Sequence, residues 1–145
     1  MDLIQGKGQL GKHDIVHIAE GGKRFSARLI HDDYSKDKCF IRSLALQVRP
    51  VPNVQNYQSI KQGEQAYTIG APLGLNRSIG EGIISGKHNL DREQIRFVQT
   101  TAPISPGSSG GGLFDDRGNL LGITTFTITL GQALNFAIAA EDFWR

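Results

Sequence analysis

Glycine constrains this chain more than any other residue. There are 18 glycines in 145 residues, and from Gly63 to Gly131 they recur every few positions between short apolar runs. Glycine in strand-rich sequence marks turns, bulges and tight barrel corners. The rhythm therefore predicts an all-β barrel or sandwich.

The apolar runs fit that expectation. Ile15–Ala19 reads as a short strand, Glu20 to Lys23 as a hairpin turn and Arg24–His31 as the returning strand. In the latter, Phe25, Ala27 and Leu29 share one face, and Arg24, Ser26 and Arg28 share the other. His31 to Asp37 reads as a polar loop and Lys38–Leu46 as a third strand, with Cys39 expected in the core. Residues 47–64 carry Pro50, Pro52, Asn53 and Gly63 and read as a long connection. Gln65–Ile69, Ser78–Lys87 and residues 95–101, 112–115, 120–128 and 134–139 supply a second set of strands. No long helix is expected, although Ala140 to Arg145 has the start of a helical turn. The expected division is residues 1–50, a connection over 51–64, and residues 65–145.

Bulk properties narrow the function classes. The net charge is +2 with no dense basic cluster, so nucleic acid is not an expected partner. The single cysteine allows no internal disulfide, and neither a metal nor an organic cofactor is expected. No apolar run approaches a membrane span. Residues 1–7 lack the apolar core of a signal peptide, so the chain as written is expected in the cytoplasm.

One segment carries chemistry. In Pro106-Gly107-Ser108-Ser109-Gly110-Gly111-Gly112, glycines flank a serine on both sides. Backbone without a Cβ can bend sharply there and leave amides free to meet a developing oxyanion. The amides of Gly107 and Ser109 are placed for a two-donor hole. The bland alternative is a Gly/Ser linker. However, strand-like Ile95–Thr101 precedes the segment and strand-like Leu120–Phe126 follows it, leaving no domain boundary for a linker to span. A phosphate-cradling loop is a poorer fit, because no Lys-Ser/Thr pair follows the glycines.

With these runs in order, the chain resembles the trypsin-like serine proteases of the bacterial HtrA/Deg type. The likeness is carried by Gly22–Ile30, Asp37-Lys38-Cys39-Phe40-Ile41, Gly63–Leu75, Gly82-Ile83-Ile84-Ser85-Gly86, Gln99–Ile104, Gly118–Ile123 and Asn135-Phe136-Ala137-Ile138. The resemblance implies a double β-barrel with an incomplete first barrel and a complete second. It implies Ser109 as nucleophile, Asp37 as orienting carboxylate, and Gly107 and Ser109 as oxyanion donors. It further implies that Ile104, Pro106, Thr124, Thr125 and Phe126 line the substrate cleft, with a small or aliphatic side chain preferred. Polypeptide is the implied partner. Strands missing from the first barrel would leave edges exposed to self-association.

The family also uses a histidine upstream of the aspartate. Asp2 stands at that place, and the strands that precede it in the family are absent. The expectation is thus an N-terminally truncated endopeptidase domain, inactive as it stands. The alternative is a non-catalytic relative that binds extended chains by strand addition. Of His13, His17, His31 and His88, His31 is nearest in sequence to Asp37, but triad geometry tolerates little displacement.

Overall fold

The computed structural model describes residues 15–20, 23–71, 77–90, 94–127 and 134–144, with the side chains of residues 15–20, 126 and 127 excepted. Asp2, His13, Gly21-Gly22 and Pro72-Leu73-Gly74 therefore lie outside the described residues. The described residues contain strands and short 3-10 turns, and no α-helix. The chain divides into two compact units, residues 1–50 and 51–145.

In the first unit, β1 (Ile15–Glu20), β2 (Lys23–Asp33) and β3 (Lys38–Arg42) form an antiparallel sheet in that order. The alternation along β2 is observed: Ala27 and Leu29 are buried, whereas Arg24, Ser26 and Arg28 are exposed. Two readings are corrected here. The polar loop is shorter than expected, because β2 continues to Asp33 and Tyr34–Lys36 forms a 3-10 turn. A register shift between Leu29 and His31 lets β2 continue to pair with β3 through this polar stretch. Cys39 is exposed rather than a core residue. It pairs with Asp32 across the ladder, in the polar end of β2.

The second unit is a closed six-stranded barrel. Its strands are β4 (Gln65–Gly70), β5 (Ser78–Leu90), β6 (Ile95–Thr100), β7 (Gly112–Phe114), β8 (Leu120–Thr127) and β9 (Asn135–Ala139). The order around the barrel is β4-β5-β6-β9-β8-β7, closed by β7 on β4. β5 bends at a register shift between Ile84 and Gly86. Closure leaves these ladders without a free edge. Ile84, Val98, Leu113, Leu121 and Ile138 fill the interior.

Residues 51–64 are fastened to this barrel. Val54 bridges Leu120 in parallel, Gln55 N–H donates to Leu120 O at 2.9 Å, and Leu120 N–H donates to Asn53 O at 2.9 Å. Tyr57 and Ile60 then enter the core, and Tyr57 Oη donates to His88 O at 3.1 Å. A buried ion cluster secures the C-terminal 3-10 turn, Ala140–Trp144. Arg96 pairs with Asp142, and Arg96 Nη2 lies 2.6 Å from Glu141 Oε1. Glu141 Oε2 accepts Tyr57 N–H at 2.7 Å, and the Arg96 guanidinium stacks 4.9 Å from the Tyr57 ring centre. The Asp142 hydrogen bond, reinforced by Glu141, pushes the Arg96 pKa further up.

Candidate functional site

The serine loop joins β6 to β7, and its arms are anchored in the barrel wall. Thr68 Oγ1 donates to Pro103 O at 2.9 Å, and the buried Asn135 amide donates to Ala102 O at 2.9 Å. Thr101 N–H donates to Ile83 O at 3.0 Å, and Thr101 Oγ1 accepts Ile83 N–H at 2.9 Å. These bonds fix where the loop leaves the sheet, so the residues that follow start from a rigid base.

The bend itself has two left-handed positions, Gly107 at φ +89° and Gly110 at φ +84°. A side chain would be strained at either, so glycine is required there. Between them, Ser108 N–H donates to Ser105 O at 2.9 Å and Gly111 N–H to Ser108 O at 3.0 Å. β8 clamps the far arm. Gly110 N–H donates to Thr124 O at 2.8 Å, and Thr124 N–H donates to Gly111 O at 2.9 Å. The buried Thr124 hydroxyl donates to Ser108 O at 2.6 Å. A Cβ at Gly111 would come within 2.5 Å of Ile69 O, so β4 holds the loop closely from the other side.

The bend divides the loop's amides into two groups. Those of Ser108, Gly110 and Gly111 are spent inside the loop or on β8. Among the described residues, nothing accepts from the amides of Gly107 and Ser109. Gly107 and Ser109 are the two residues whose amides the sequence analysis singled out. Ser109 is exposed, whereas Ser108 is buried as a residue of the turn. The Ser109 hydroxyl donates to Thr125 O at 2.7 Å.

The other candidates fall as follows. Ile104 is half-buried and Pro106 exposed on the leading arm of the loop. Thr124 and Thr125 lie on β8, the former buried and the latter half-buried. Phe126 is on β8 too, and its side chain is outside the described residues. A cavity of about 90 Å³ adjoins the loop, lined by Ser105, Ser108 and Thr124 and by Thr68, Gly70 and Gly80. Asp37 belongs to the first unit. It closes the Tyr34–Lys36 turn in the left-handed region (φ 51°, ψ 43°) and its side chain is exposed. Aspartate is among the few residues that tolerate that backbone region.

Sequence reasoning missed the supporting residues. Thr68 and Asn135 bind the loop's carbonyls from neighbouring strands, and the Thr124 hydroxyl braces the bend from within. Their one signal was a polar residue at an inward position of an otherwise apolar strand. The capture of the Ser109 hydroxyl by a main-chain carbonyl had no signal at all.

Comparison with known proteins covers most of the chain. Residues 4–123 match the trypsin-like peptidase domain family. The putative serine protease HhoB of Synechocystis is 38% identical over 98 residues, which is 63% of this chain and 24% of that protein. A probable periplasmic serine endoprotease, DegP-like, of Ectopseudomonas mendocina is 37% identical over 134 residues, 88% of this chain and 27% of that protein. The structure of the HtrA-type protease AlgW with a decapeptide superposes with a TM-score of 0.77 at 31% identity, covering 88% of this chain and 41% of that one. The chain thus spans between about a quarter and two fifths of the length of these proteins.

Proposed function

The chain belongs to the trypsin-like peptidase domain family as a serine protease domain of the HtrA/Deg type, and from that premise we propose that its β8 cleft receives extended polypeptide at Ser109. In this reading Ser109 is the nucleophile and Asp37 the orienting carboxylate. The amides of Gly107 and Ser109 receive the carbonyl oxygen under attack. Ile104, Pro106, Thr124, Thr125 and Phe126 form the cleft. The observation that carries the reading is the pair of unspent amides on either side of Ser108, next to an exposed hydroxyl. Two fixed donors that converge on one point stabilise charge that appears only in the transition state.

Acyl transfer also needs a base. Serine is a weak nucleophile unless a neighbouring group takes its proton as it attacks. In this reading Asp2 stands at the family histidine's place, and a carboxylate is too weak a base for this task at neutral pH. We therefore propose that these 145 residues bind peptide without appreciable cleavage. The Ser109 hydroxyl bond to a carbonyl favours this second reading, because its proton is given to an acceptor that cannot carry it away. AlgW has been solved with a decapeptide and with a tripeptide, which supports peptide as the ligand class.

A fluorophosphonate probe tests the absence of a base. No adduct at Ser109 is expected by intact mass. Stoichiometric labelling that disappears in Ser109→Ala would overturn the non-cleaving reading and assign the base to one of the chain's own side chains.

A further inference from the structure

Residues 53–60 are held to the barrel differently from its strands. Their ladder is one isolated parallel bridge, Val54 with Leu120, and the other holds come from side chains of three elements. From β5, Lys87 Nζ donates to Ile60 O at 3.0 Å and stands 4.6 Å from the Tyr57 ring centre. From β6, the Arg96 guanidinium meets the same ring. From the C-terminal turn, Glu141 Oε2 accepts Tyr57 N–H. Asp142 fastens that turn by accepting Arg96 N–H at 3.1 Å and Arg96 Nε–H at 3.0 Å, so Glu141 reaches out from a fixed base. The segment is also stiff inside. Asn56 Oδ1 accepts Gln58 N–H at 2.9 Å, and Ser59 N–H donates to Asn56 O at 3.0 Å, which closes the 3-10 turn Tyr57–Ser59. Tyr57 and Ile60 are both buried and mounted on that one turn, so neither leaves the core without the other.

We propose that residues 53–60 form a strap that opens as one unit while the six strands stay closed, with Glu141 as the finger of its latch. Each strand of the closed barrel is paired on both flanks, whereas the strap has a single bridge. Its opening therefore costs less than breaking the barrel. Opening breaks the bonds to Glu141 and Lys87 and, with them, the main-chain bonds to Leu120. It also changes the tether between the two units. With the strap closed, Leu46 is bonded through Ser43 to Ser26 of β2, and Asn53 is bonded to Leu120, so residues 47–52 join the two anchors. With the strap open, the next main-chain anchor is Gly63, whose N–H donates to Ile84 O at 2.8 Å, and the joining stretch grows to residues 47–62. A longer tether lowers the effective concentration of one unit at the other. Where Asp37 serves Ser109, as the reading above has it, the latch sets how closely the two are tethered. The latch itself does not depend on that reading.

Native-state amide exchange of the whole chain in a denaturant series tests the latch. Gln55, Tyr57 and Leu120 report it, because their N–H groups end on Leu120 O, Glu141 and Asn53 O. In the wild type the three are expected to share one opening free energy and one denaturant slope, both below those of amides deep in β6 and β9. Values equal to those of the strands would overturn the proposal, because the strap would then open only with the barrel. This wild-type profile decides whether or not a variant folds. Glu141→Ala removes a charged hydrogen bond and should speed exchange at all three reporters by one common factor, roughly ten- to a hundredfold. An effect confined to Tyr57 would overturn the proposal, since it would show a local bond in place of a latch. Ile138 is buried outside the cluster around Tyr57, so Ile138→Val should speed the strand amides alone. Acceleration of the three reporters by the same factor as the strands would also overturn the proposal.

Discussion

The two units of this chain are both antiparallel β-structure, yet they solve the problem of sheet edges differently. In the second, six strands close on themselves, and the connection over residues 51–64 seals the interior with Tyr57 and Ile60. In the first, three strands form an open sheet, and among its described side chains only Ala27 and Leu29 are buried apolar residues. Hydrophobic stabilisation scales with apolar area removed from water, so the two described aliphatics of the first unit contribute less than the five that fill the barrel. The serine bend is mounted on the unit that can hold it rigid. The carboxylate proposed to complete the site belongs to the other.

Matched truncations test that contrast most strongly. Leu121 and Leu29 are 1% and 4% exposed, so burial of the two side chains is nearly equal. Leu121→Ala leaves a void in the closed core and is expected to cost about 2–5 kcal/mol. Leu29→Ala should cost less, because an open sheet collapses around the gap more easily. Amide hydrogen exchange separates the two: Leu121→Ala should lower protection throughout β4 to β9, and Leu29→Ala only along β2 and β3. Equal losses at barrel amides would erase the distinction.

Thr124→Val acts on the link between barrel and bend. The substitution keeps the shape and removes the hydroxyl that bonds Ser108 O at 2.6 Å. The same hydroxyl reaches Gly111 O at 3.2 Å, but Ser108 O keeps its bond from Gly111 N–H and Gly111 O its bond from Thr124 N–H, so neither carbonyl of the bend is left without a donor. The expected loss is therefore about 1 kcal/mol, and its local consequence is faster exchange at the Gly110 and Gly111 amides. A bend that exchanges as slowly as in the wild type would show that the main-chain clamp alone is sufficient.

How far the sequence reveals all this depends on the range of the interaction. The all-β class and most strands were legible, because period-two alternation in Arg24–His31 and glycine punctuation after Gly63 are local signals. So was the bend, since Gly107 and Gly110 sit where positive φ is required. Cys39 was misread because apolar neighbours say nothing of whether a layer covers them. The end of β2 was misread because polar residues mark loops only when no partner strand pairs with them, and β3 does. Thr68 and Asn135 were missed because their bonds cross 35 and 33 residues of sequence. The Arg96–Glu141–Asp142 cluster is long-range in the same sense: nothing near Arg96 in sequence marks it as buried.

The smallest expected effect lies in the β7–β8 turn, where a carboxylate acts as a template. Asp115 Oδ1 accepts Arg117 N–H at 2.9 Å and Asn119 N–H at 2.8 Å, and Oδ2 accepts the Asn119 side-chain amide at 2.6 Å. Partial burial pulls its pKa up, but these bonds, with the Arg117 charge, outweigh it and hold the value below the ordinary carboxylate range. A folded-state pKa below the unfolded one gives stability that is complete above the unfolded value, near 3.9, and is lost as pH falls through the folded value. Asp115→Asn keeps one carbonyl acceptor and loses the charge, so it should cost about 1 kcal/mol near neutral pH. Thermal midpoints of wild type and variant should then converge as pH drops from about 5 to about 2. A gap that stays constant across that range would mean that Asp115 holds the turn by shape alone. In that case the charge contributes nothing to the strand pair that carries Thr124 and Thr125.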